Sequence, residues 1–309
     1  MALDDDLDLG QLAALDAVVT EGTFDGAARR LHVTPSAISQ RIRALEVATG
    51  RVLLVRSKPV HLTESGEPVL RLARQIGLLT AEARRELTGS VGGPDDGTEP
   101  VEGPVRLPIA VNADSMATWF LPALAPLAGE FSFELHRVDQ ERTGDLLRGG
   151  RVMAAVTTRS TALPGCSSTR LGTMRYRPVA SRAFVRRWLP DGATTAALRR
   201  APVVVYDNDD DLQHAWLRTR AGRDLHPPVH HVPSADDFAT AVRLGFGWGM
   251  LPDQLRRAAL VPLVPDDEAD ADAGRVGDVV LHWQQWRLRS AALDRVSAAV
   301  VAAAAAALD

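Results

Sequence analysis

The stretch from Phe24 to Gly50, FDGAARRLHVTPSAISQRIRALEVATG, constrains the fold of this chain more than any other part of the sequence. It predicts two short helices separated by a tight turn. Thr34 is suited to cap the second helix with its hydroxyl, and Pro35 fits the first helical position, where no N–H is needed. Apolar residues recur at helical spacing on one face of the second helix and predict a buried stripe: Ile38, Ile42 and Leu45.

The opposite face of the second helix carries four polar side chains, at positions i, i+3, i+4 and i+7: Ser36, Ser39, Gln40 and Arg43. Hydroxyl, amide and guanidinium groups suit the hydrogen-bonding edges of base pairs in a DNA major groove. Taken alone, this pattern is better explained by an ordinary amphipathic helix with a solvated face. The preceding helix changes the interpretation, because its small residues Ala27 and Ala28 allow a second helix to cross closely. His32 and Val33 then form the short turn of a helix-turn-helix.

The distribution of charge supports DNA binding at this end of the chain. The formal net charge of the 309 residues is −4, which by itself does not indicate a nucleic-acid partner. Between Arg29 and Arg74, however, nine basic residues stand against three acidic ones, so this window carries a charge of +6. A basic region on an acidic protein is typical of a modular DNA-binding unit.

The flanking segments complete a small DNA-binding domain. Leu9 to Glu21 is predicted to form a first helix that packs under the other two. After Gly50, two short strand-like pieces predict a hairpin, the wing of a winged helix, which presents Arg56 and Lys58 to phosphates or the minor groove. His61 of this hairpin is better explained as part of a solvated turn.

A long helix is predicted from Thr63, its N-cap, to about Leu87. Apolar residues lie along it with the alternating spacing of a coiled coil: Val69, Leu72, Ile76, Leu79 and Ala83. Such a stripe can be buried against its own chain. Directly after a DNA-binding unit, it favours pairing with the same helix of a second subunit, which would place two recognition helices on two half-sites.

Beyond the long helix, strands alternate with helices in two halves, which predicts a parallel α/β sheet with a ligand cleft between the halves. A segment rich in Gly, Pro and acidic residues separates this region from the DNA-binding unit. The predicted parts are, in order, the winged helix-turn-helix (1–63), the dimerisation helix (64–88), the linker (89–104) and the effector domain (105–309), with subdomain I at about 105–172 and 279–309 and subdomain II at about 173–278.

Ligands of α/β domains bind where strands end and helices begin. Ser115 and Thr118 open a helix after the first strand of the effector domain, where free helix amides can help to hold a carboxylate. Four acids lie at or just past strand ends: Asp139, Asp207, Asp209 and Asp236. Each alone is better explained as a helix cap, but four at cleft-facing junctions favour a site for a positively charged group.

Other classes of function find little support in the sequence. It contains no nucleophile elbow, no phosphate-binding loop and no zinc-protease motif, and His230 and His231 lack partners at metal-ligand spacing. We therefore expect no enzyme activity, no metal and no cofactor. A single cysteine, an acidic N-terminus and the lack of an apolar run of membrane-spanning length predict a cytoplasmic protein without membrane attachment.

The chain resembles LysR-type transcriptional regulators over essentially its whole length. The phrase AVVTEGTFDGAARRLHVTPSAISQRIRALEVATG is similar to the long N-terminal signature of that family, as are VLLVRS and LTESG. A narrower resemblance is to the ArgP/LysG branch, regulators of basic amino acid export. It rests on AVNADSMATWFLPALAPLA, LLVRSKPVHLTESG, ALPGCSSTRLG and APVVVYD. The strand VMAAV lacks an acid that many family members carry there, which fits the narrower branch better.

The resemblance implies a winged helix-turn-helix, a linker helix and a periplasmic-binding-protein-like α/β effector domain of two subdomains. It also implies a dimer, or a dimer of dimers, that binds double-stranded promoter DNA near an exporter gene. Lysine, arginine or histidine would bind in the cleft and change DNA bending or contact with RNA polymerase. The DNA-binding residues carried over are Thr34, Ser36, Ser39, Gln40 and Arg43. The effector residues carried over are Ser115, Thr118, Trp119 (against the alkyl stem), Asp207 and Asp236, whereas Asp139 and Asp209 rest on the strand-end argument alone.

Three alternatives stay open. An amino-acid sensor without promoter-specific DNA binding is disfavoured by the basic window, and an architectural DNA binder by the acids at strand ends. A LysR-type regulator that answers a different, anionic effector predicts basic residues at the cleft junctions, where this sequence has acids.

Overall fold

The computed structural model describes residues 7–89, 104–138, 143–255, 259–265 and 276–309. Asp139 and most of the predicted linker at 89–104 lie outside these ranges. The N-terminal unit consists of three helices, a two-stranded wing and a long helix: α1 (Leu9–Glu21), α2 (Phe24–Arg30), α3 (Pro35–Thr49), β1 (Leu54–Val55), β2 (His61–Leu62) and α4 (Gly66–Gly89). The predicted apolar stripe of α3 is fully buried in the core that α1 and α2 share with it. The winged helix-turn-helix prediction is confirmed.

Local chemistry accounts for the join between α3 and the wing. The hydroxyl of Thr34 accepts a hydrogen bond from the amide of Ala37 at 3.2 Å, so the predicted N-cap is present. At the other end of α3, the Glu46 carboxylate accepts the amide N–H of Leu53 at 2.9 Å and fastens the wing to the helix. α4 then begins at Gly66, where a Cβ atom would lie 2.3 Å from the carbonyl oxygen of Leu53. Only glycine permits this close approach of the two backbones.

The C-terminal region alternates strands with mostly short helices, as the sequence predicts. No helix in the described ranges is both long and apolar enough to cross a membrane. The elements are β3 (Val105–Val111), α5 (Ala113–Ser115), α6 (Leu121–Leu124), β4 (Phe131–Arg137), α7 (Thr143–Arg148), β5 (Ala154–Thr157), β6 (Cys166–Ser181), α8 (Arg182–Trp188), α9 (Thr195–Leu198), β7 (Val203–Val205), α10 (Leu212–Ala221), β8 (Val229–His231), α11 (Ala235–Leu244), β9 (Gly249–Pro252), β10 (Leu260–Pro262), β11 (Asp278–Trp286) and α12 (Ala291–Ala307).

The strands form one mixed sheet in the order β10-β6-β11-β5-β3-β4, with β9 also paired to β6, and a separate β7–β8 pair. Pairing is parallel between β3 and β4, β3 and β5, and β7 and β8. It is antiparallel wherever β6 or β11 takes part. The prediction of a parallel sheet is therefore wrong for these pairs. The reason is that β6 leaves one half of the domain and β11 returns to it, so the two strands run in opposite directions.

The 16-residue strand β6 is the main element that the sequence analysis missed. Its residues 166–175 pair with β11, and its residues 176–181 pair with β9 and β10. We call the part built from β3, β4, β5, β11, α5 to α7, α12 and residues 166–175 the first lobe. The second lobe comprises 176–181, β7 to β10 and α8 to α11. β6 thus belongs to both lobes. The boundaries of the domains and subdomains that the sequence suggested remain predictions.

Helix α4 packs against both parts of its own chain. Leu70 and Ala73 are buried in the core of the winged helix-turn-helix. Further along the helix, Leu78 is buried in the hydrophobic core of the C-terminal region, and α4 also contacts β3 of the first lobe. The Glu82 carboxylate then accepts hydrogen bonds at the start of α12, from the Ser290 hydroxyl at 2.6 Å and the Ala292 amide at 2.8 Å. A displacement of the first lobe is therefore transmitted directly to α4.

Arg74 of α4 ties the DNA-binding unit to the first lobe. Its Nε donates to Asp16 of α1 at 2.8 Å, and its Nη2 donates to the Thr20 hydroxyl at 3.3 Å. Its Nη1 donates to the carbonyl oxygens of Gly150, at 3.0 Å, and Arg151, both in the loop before β5. The side chain is only 8% exposed, so a lost partner would leave a charged or polar group desolvated.

We expect replacement of Arg74 by Met to lower the free energy of unfolding by roughly 3 kcal/mol, since it leaves Asp16 and two loop carbonyls without their donor. Urea denaturation monitored by circular dichroism measures this. Arg148→Met is the matched control: its side chain is 52% exposed and pairs with an exposed aspartate, so the loss should stay below about 1 kcal/mol. Equal losses in the two variants would contradict the role given to Arg74.

Candidate functional site

The outer face of α3 presents the side chains that the sequence analysis assigned to DNA. Four of these side chains are exposed: Thr34, Ser36, Gln40 and Arg43. The fifth, Ser39, is half-buried. The Ser39 hydroxyl donates to the carbonyl oxygen of Pro35 at 3.0 Å, which leaves its lone pairs as acceptors. Polar groups on one side and a fully buried stripe on the other make α3 a rigid helix with one accessible face.

The wing carries two exposed cations. Arg56 and Lys58 are both exposed, and the Arg56 guanidinium carbon lies 5.6 Å from the ring centroid of Phe24. This contact of a cation with an aromatic face orients Arg56. The Ser57 hydroxyl donates to the Pro59 carbonyl oxygen at 2.6 Å and stabilises the tip of the wing.

A pocket of about 280 Å³ opens between the two lobes. This volume suits a ligand of amino-acid size, at the lower end of the ordinary range of small-molecule sites. Among the described residues that line it, five are aspartates and none is basic. The lining comprises Asn112, Ala113, Asp114, Tyr176, Tyr206, Asp207, Asp209, Asp210, Asp211, Leu212, Gln213, Ala235, Phe238, Met250, Leu251 and Val279.

Two of these acids lie in surroundings that disfavour their charge. Asp114, just past β3, accepts the hydroxyl of Tyr176 from β6 at 2.6 Å. Burial raises the pKa of Asp114, and the nearby charge of Asp210 raises it further, against the lowering effect of the Tyr176 hydrogen bond. Burial also raises the pKa of Asp210, although the amides of Tyr206 and Leu212 donate to its carboxylate at 2.9 and 3.2 Å. A cation in the pocket would relieve this unfavourable accumulation of negative charge.

The other aspartates of the pocket differ in their surroundings. Asp207 accepts the amides of Asp209 and Asp210 at 2.9 and 3.1 Å, which shapes the loop after β7. Asp209 itself is exposed. Asp211 pairs with Arg218 at 3.2 Å, so its charge is already compensated.

The comparisons with known proteins agree with the winged helix-turn-helix at the N-terminal end and with the two-lobed region that follows it. Residues 9–67 match the family described as bacterial regulatory helix-turn-helix protein, lysR family. Residues 102–305 match the LysR substrate binding domain. The chain belongs to the LysR family. This confirms the resemblance stated from the sequence, and it makes the chain a member of a family of bacterial transcriptional regulators rather than of enzymes.

Relatives of this LysR-family chain carry the names of the narrower branch. It is 45% identical over 306 residues to the HTH-type transcriptional regulator LysG of Mycobacterium tuberculosis, covering 98% of this chain and 95% of that protein. It is 39% identical over 300 residues to the lysine export transcriptional regulatory protein LysG of Corynebacterium efficiens, covering 96% and 98%. The resemblance to the ArgP/LysG branch is confirmed.

Solved structures show the same arrangement. The crystal structure of ArgP from Mycobacterium tuberculosis is 44% identical, with a TM-score of 0.81 over 98% of this chain and 99% of that one. Full-length LysG from Corynebacterium glutamicum with bound effector Arg is 34% identical, with a TM-score of 0.72 over 98% and 99%.

Only some of the effector residues proposed from the sequence line the pocket of this LysR-family chain. Asp207 and Asp209 line it. Ser115, Thr118, Trp119 and Asp236 are not among its lining residues, and Asp139 lies outside the described residues.

Physical reasons account for the residues that do not reach the pocket. Trp119 is 4% exposed and packs at 5.7 Å against the ring of Phe120 in the core. Ser115 is fully buried, and the Thr118 hydroxyl donates to the backbone carbonyl of Asp114 at 2.6 Å. Asp236 is exposed in the first turn of α11, where an acid stabilises the helix N-terminus.

Sequence reasoning missed Asn112, Asp114, Tyr176, Asp210 and Gln213. Asn112 and Asp114 were within reach, because they belong to the same strand-to-helix junction as Ser115. Asp210 follows the proposed Asp209 directly. Tyr176 could not be found this way, since β6 was not predicted. No group of three or more metal-ligating side chains occurs within the described part of the chain.

Proposed function

We propose that this chain is a promoter-binding regulator whose state is set by a basic amino acid (lysine, arginine or histidine) in the pocket between the lobes. Its target would be a gene for export of that amino acid, and its place of action the cytoplasm, where promoter DNA is accessible. The observation that carries the proposal is a pocket of amino-acid size whose described lining contains five aspartates and no basic residue. Relatives support it through a name that refers to lysine export and a structure with bound effector Arg.

The charges of the pocket disfavour the closest alternative, a regulator that answers an anionic effector. A purely anionic ligand would meet these acids, with no Lys or Arg among the lining residues that the structure describes. An amino acid differs, because one carboxylate can be held by backbone amides while its cations meet the acids. α11 begins at the pocket and has no side-chain cap, so its first amide N–H groups are suitable donors for that carboxylate.

Helix α4 offers a physical route from the pocket to DNA. A ligand that binds one arrangement of the lobes more tightly shifts the population toward it. α4 is buried in the cores of both the winged helix-turn-helix and the first lobe, and Arg74 bridges the two. A change in lobe arrangement would therefore alter the position of α3 on DNA, which is a coupling free energy between two sites.

The outer edge of α4 supports a homodimer. Val69 and Ile76 of the predicted seam pack partly against the winged helix-turn-helix of their own chain. The remaining seam residues, with Leu87, form an exposed apolar edge: Leu72 at 36%, Leu79 at 40%, Leu87 at 69%, and Ala83. A second α4 packed along this edge would bury it and set two copies of α3 on two half-sites. A dimer of two such dimers and a contact with RNA polymerase are further parts of this proposal.

The direct test is isothermal calorimetry of the full chain with lysine, arginine, histidine and glutamate. We expect saturable binding of at least one basic amino acid and none of glutamate, because the described lining presents five aspartates and no basic residue to an incoming side chain. Binding of glutamate, or of none of the four, would remove the effector assignment. The chain would then be a LysR-family regulator of another signal.

The role of α3 is tested by Arg43→Ala in a DNA-binding titration. If Arg43 contacts a base, the variant should lose about 1–3 kcal/mol on the cognate promoter and show relaxed specificity at one position. Lys58→Ala at the wing is the contrasting variant, expected to weaken binding uniformly across sequences and to lower the salt slope by about 1. A uniform loss with Arg43→Ala would reassign that residue to a phosphate contact.

The dimer is tested by Leu79→Asp, with molar mass measured by light scattering. A charge on the exposed edge of α4 should shift the protein toward monomer, because the partner helix would have to desolvate it. Leu244→Asp is the control, since Leu244 is 69% exposed on α11 and away from this edge. A wild-type monomer, or a Leu79→Asp variant that stays dimeric, would speak against α4 as the interface.

A further inference from the structure

We propose that the side-chain cation of the effector binds across the cleft, between Asp114 of the first lobe and Asp210 of the second, and that the amide carbonyls of Asn112 and Gln213 make this site selective for a guanidinium. The inference rests on the proposed function and deepens it. It assigns the cation to residues on two lobes rather than to the exposed acids at strand ends.

The two carboxyl groups are held by different lobes. Asp114 follows β3 and is fixed by the Tyr176 hydroxyl at 2.6 Å. Asp210 precedes α10 and is fixed by the amides of Tyr206 at 2.9 Å and Leu212 at 3.2 Å. Burial is the main cause that raises the pKa of Asp114, and the charge of Asp210 adds to it. Both acids line the same pocket, so a cation bound there is attracted by an acid of each lobe.

Two buried amide groups supply independent support. Asn112 is 6% exposed and Gln213 is 1% exposed, and both line the pocket. Neither the Asn112 Oδ1 nor the Gln213 Oε1 has a hydrogen-bond partner among the described residues. Buried acceptors without a partner are rare and costly, so each requires an explanation. One lies on each lobe, and a ligand rich in N–H donors would satisfy both.

The number of acceptors favours a guanidinium over an ammonium. A guanidinium has five N–H donors in a flat, rigid fork, whereas an ammonium is a compact charge with three donors. The site offers two carboxylates and two carbonyl oxygens from opposite walls, which a planar, wide cation reaches better. Aromatic side chains in the same lining, Tyr176, Tyr206 and Phe238, can pack along the alkyl stem.

The first test compares arginine, lysine and citrulline by calorimetry on the full chain. Citrulline has the shape of arginine but a neutral urea group in place of the guanidinium. We expect arginine to bind about tenfold more tightly than lysine, and about a hundredfold or more than citrulline, because the acids remain uncompensated without a charge. Equal binding of arginine and citrulline, or tighter binding of lysine, would overturn the proposal.

The second test uses Asp114→Asn, which keeps a carbonyl oxygen for the Tyr176 hydroxyl, and Asp210→Asn, which keeps one of the two oxygens that accept the Tyr206 and Leu212 amides. Each should weaken arginine binding about a hundredfold. Gln213→Met removes the amide and with it the hydrogen bond that the Gln213 side chain makes to Asp210. Because Asp210 attracts both cations, a greater loss for arginine than for lysine reports on the amide oxygen. Asp224→Asn, at an exposed acid of the second lobe away from the pocket, makes the same change of charge and should leave the affinity within about threefold.

Promoter DNA affinity and thermal unfolding of each variant show whether it is folded. The outcomes separate this proposal from the function on which it rests. If wild type binds arginine and both Asp114→Asn and Asp210→Asn bind it equally well, the cation lies elsewhere and only the present inference fails. If wild type binds no basic amino acid, the proposed effector class fails as well.

Discussion

One continuous strand, β6, is the constraint on which the effector domain depends. Its first ten residues, 166–175, complete the sheet of the first lobe through β11. Its last six, 176–181, form the second lobe with β9 and β10. Because a strand is stiff and its backbone groups are paired along its length, the lobes cannot separate, and they can change only by bending near this crossover. Tyr176 lies at that point, which explains why the pocket forms there.

Helix α4 is the second shared element, and it makes the DNA-binding unit sensitive to the effector domain. A flexible tether would let the two parts move independently. Here a buried guanidinium, Arg74, fixes α4 to α1 and to the loop before β5, while Glu82 fixes it to the start of α12. Hydrogen bonds to charged groups that are shielded from water are costly to break one at a time. We therefore expect α4, α1 and the first lobe to move together. The structure therefore joins the pocket and α3 through packed elements.

The pocket contains groups that lower the stability of the unliganded fold and are explained by ligand binding. A chain selected for stability alone would not place Asp114 and Asp210 where burial and mutual repulsion raise the pKa of Asp114. It would not leave amide oxygens of Asn112 and Gln213 without partners either. These four groups line one pocket and share a chemistry, since all of them accept hydrogen bonds. A donor-rich cation is the ligand that this chemistry complements.

The sequence alone determined what depends on neighbours along the chain. The cap at Thr34, the buried stripe of α3 and the alternation of strands and helices follow from spacings of a few residues, so they could be predicted, as could the acidic junction at Asp207. Only the tertiary structure decided the rest. β6 has no regular alternation of buried and exposed residues, because it changes lobes and partners midway. Trp119 faces the core and Asp114 the pocket, although α5 runs directly into the π-helical turn Met116–Phe120 that holds Trp119, because the packing of this stretch on the sheet sets its rotation. Asp114, Tyr176 and Asp210 are distant in sequence, and only folding brings them together.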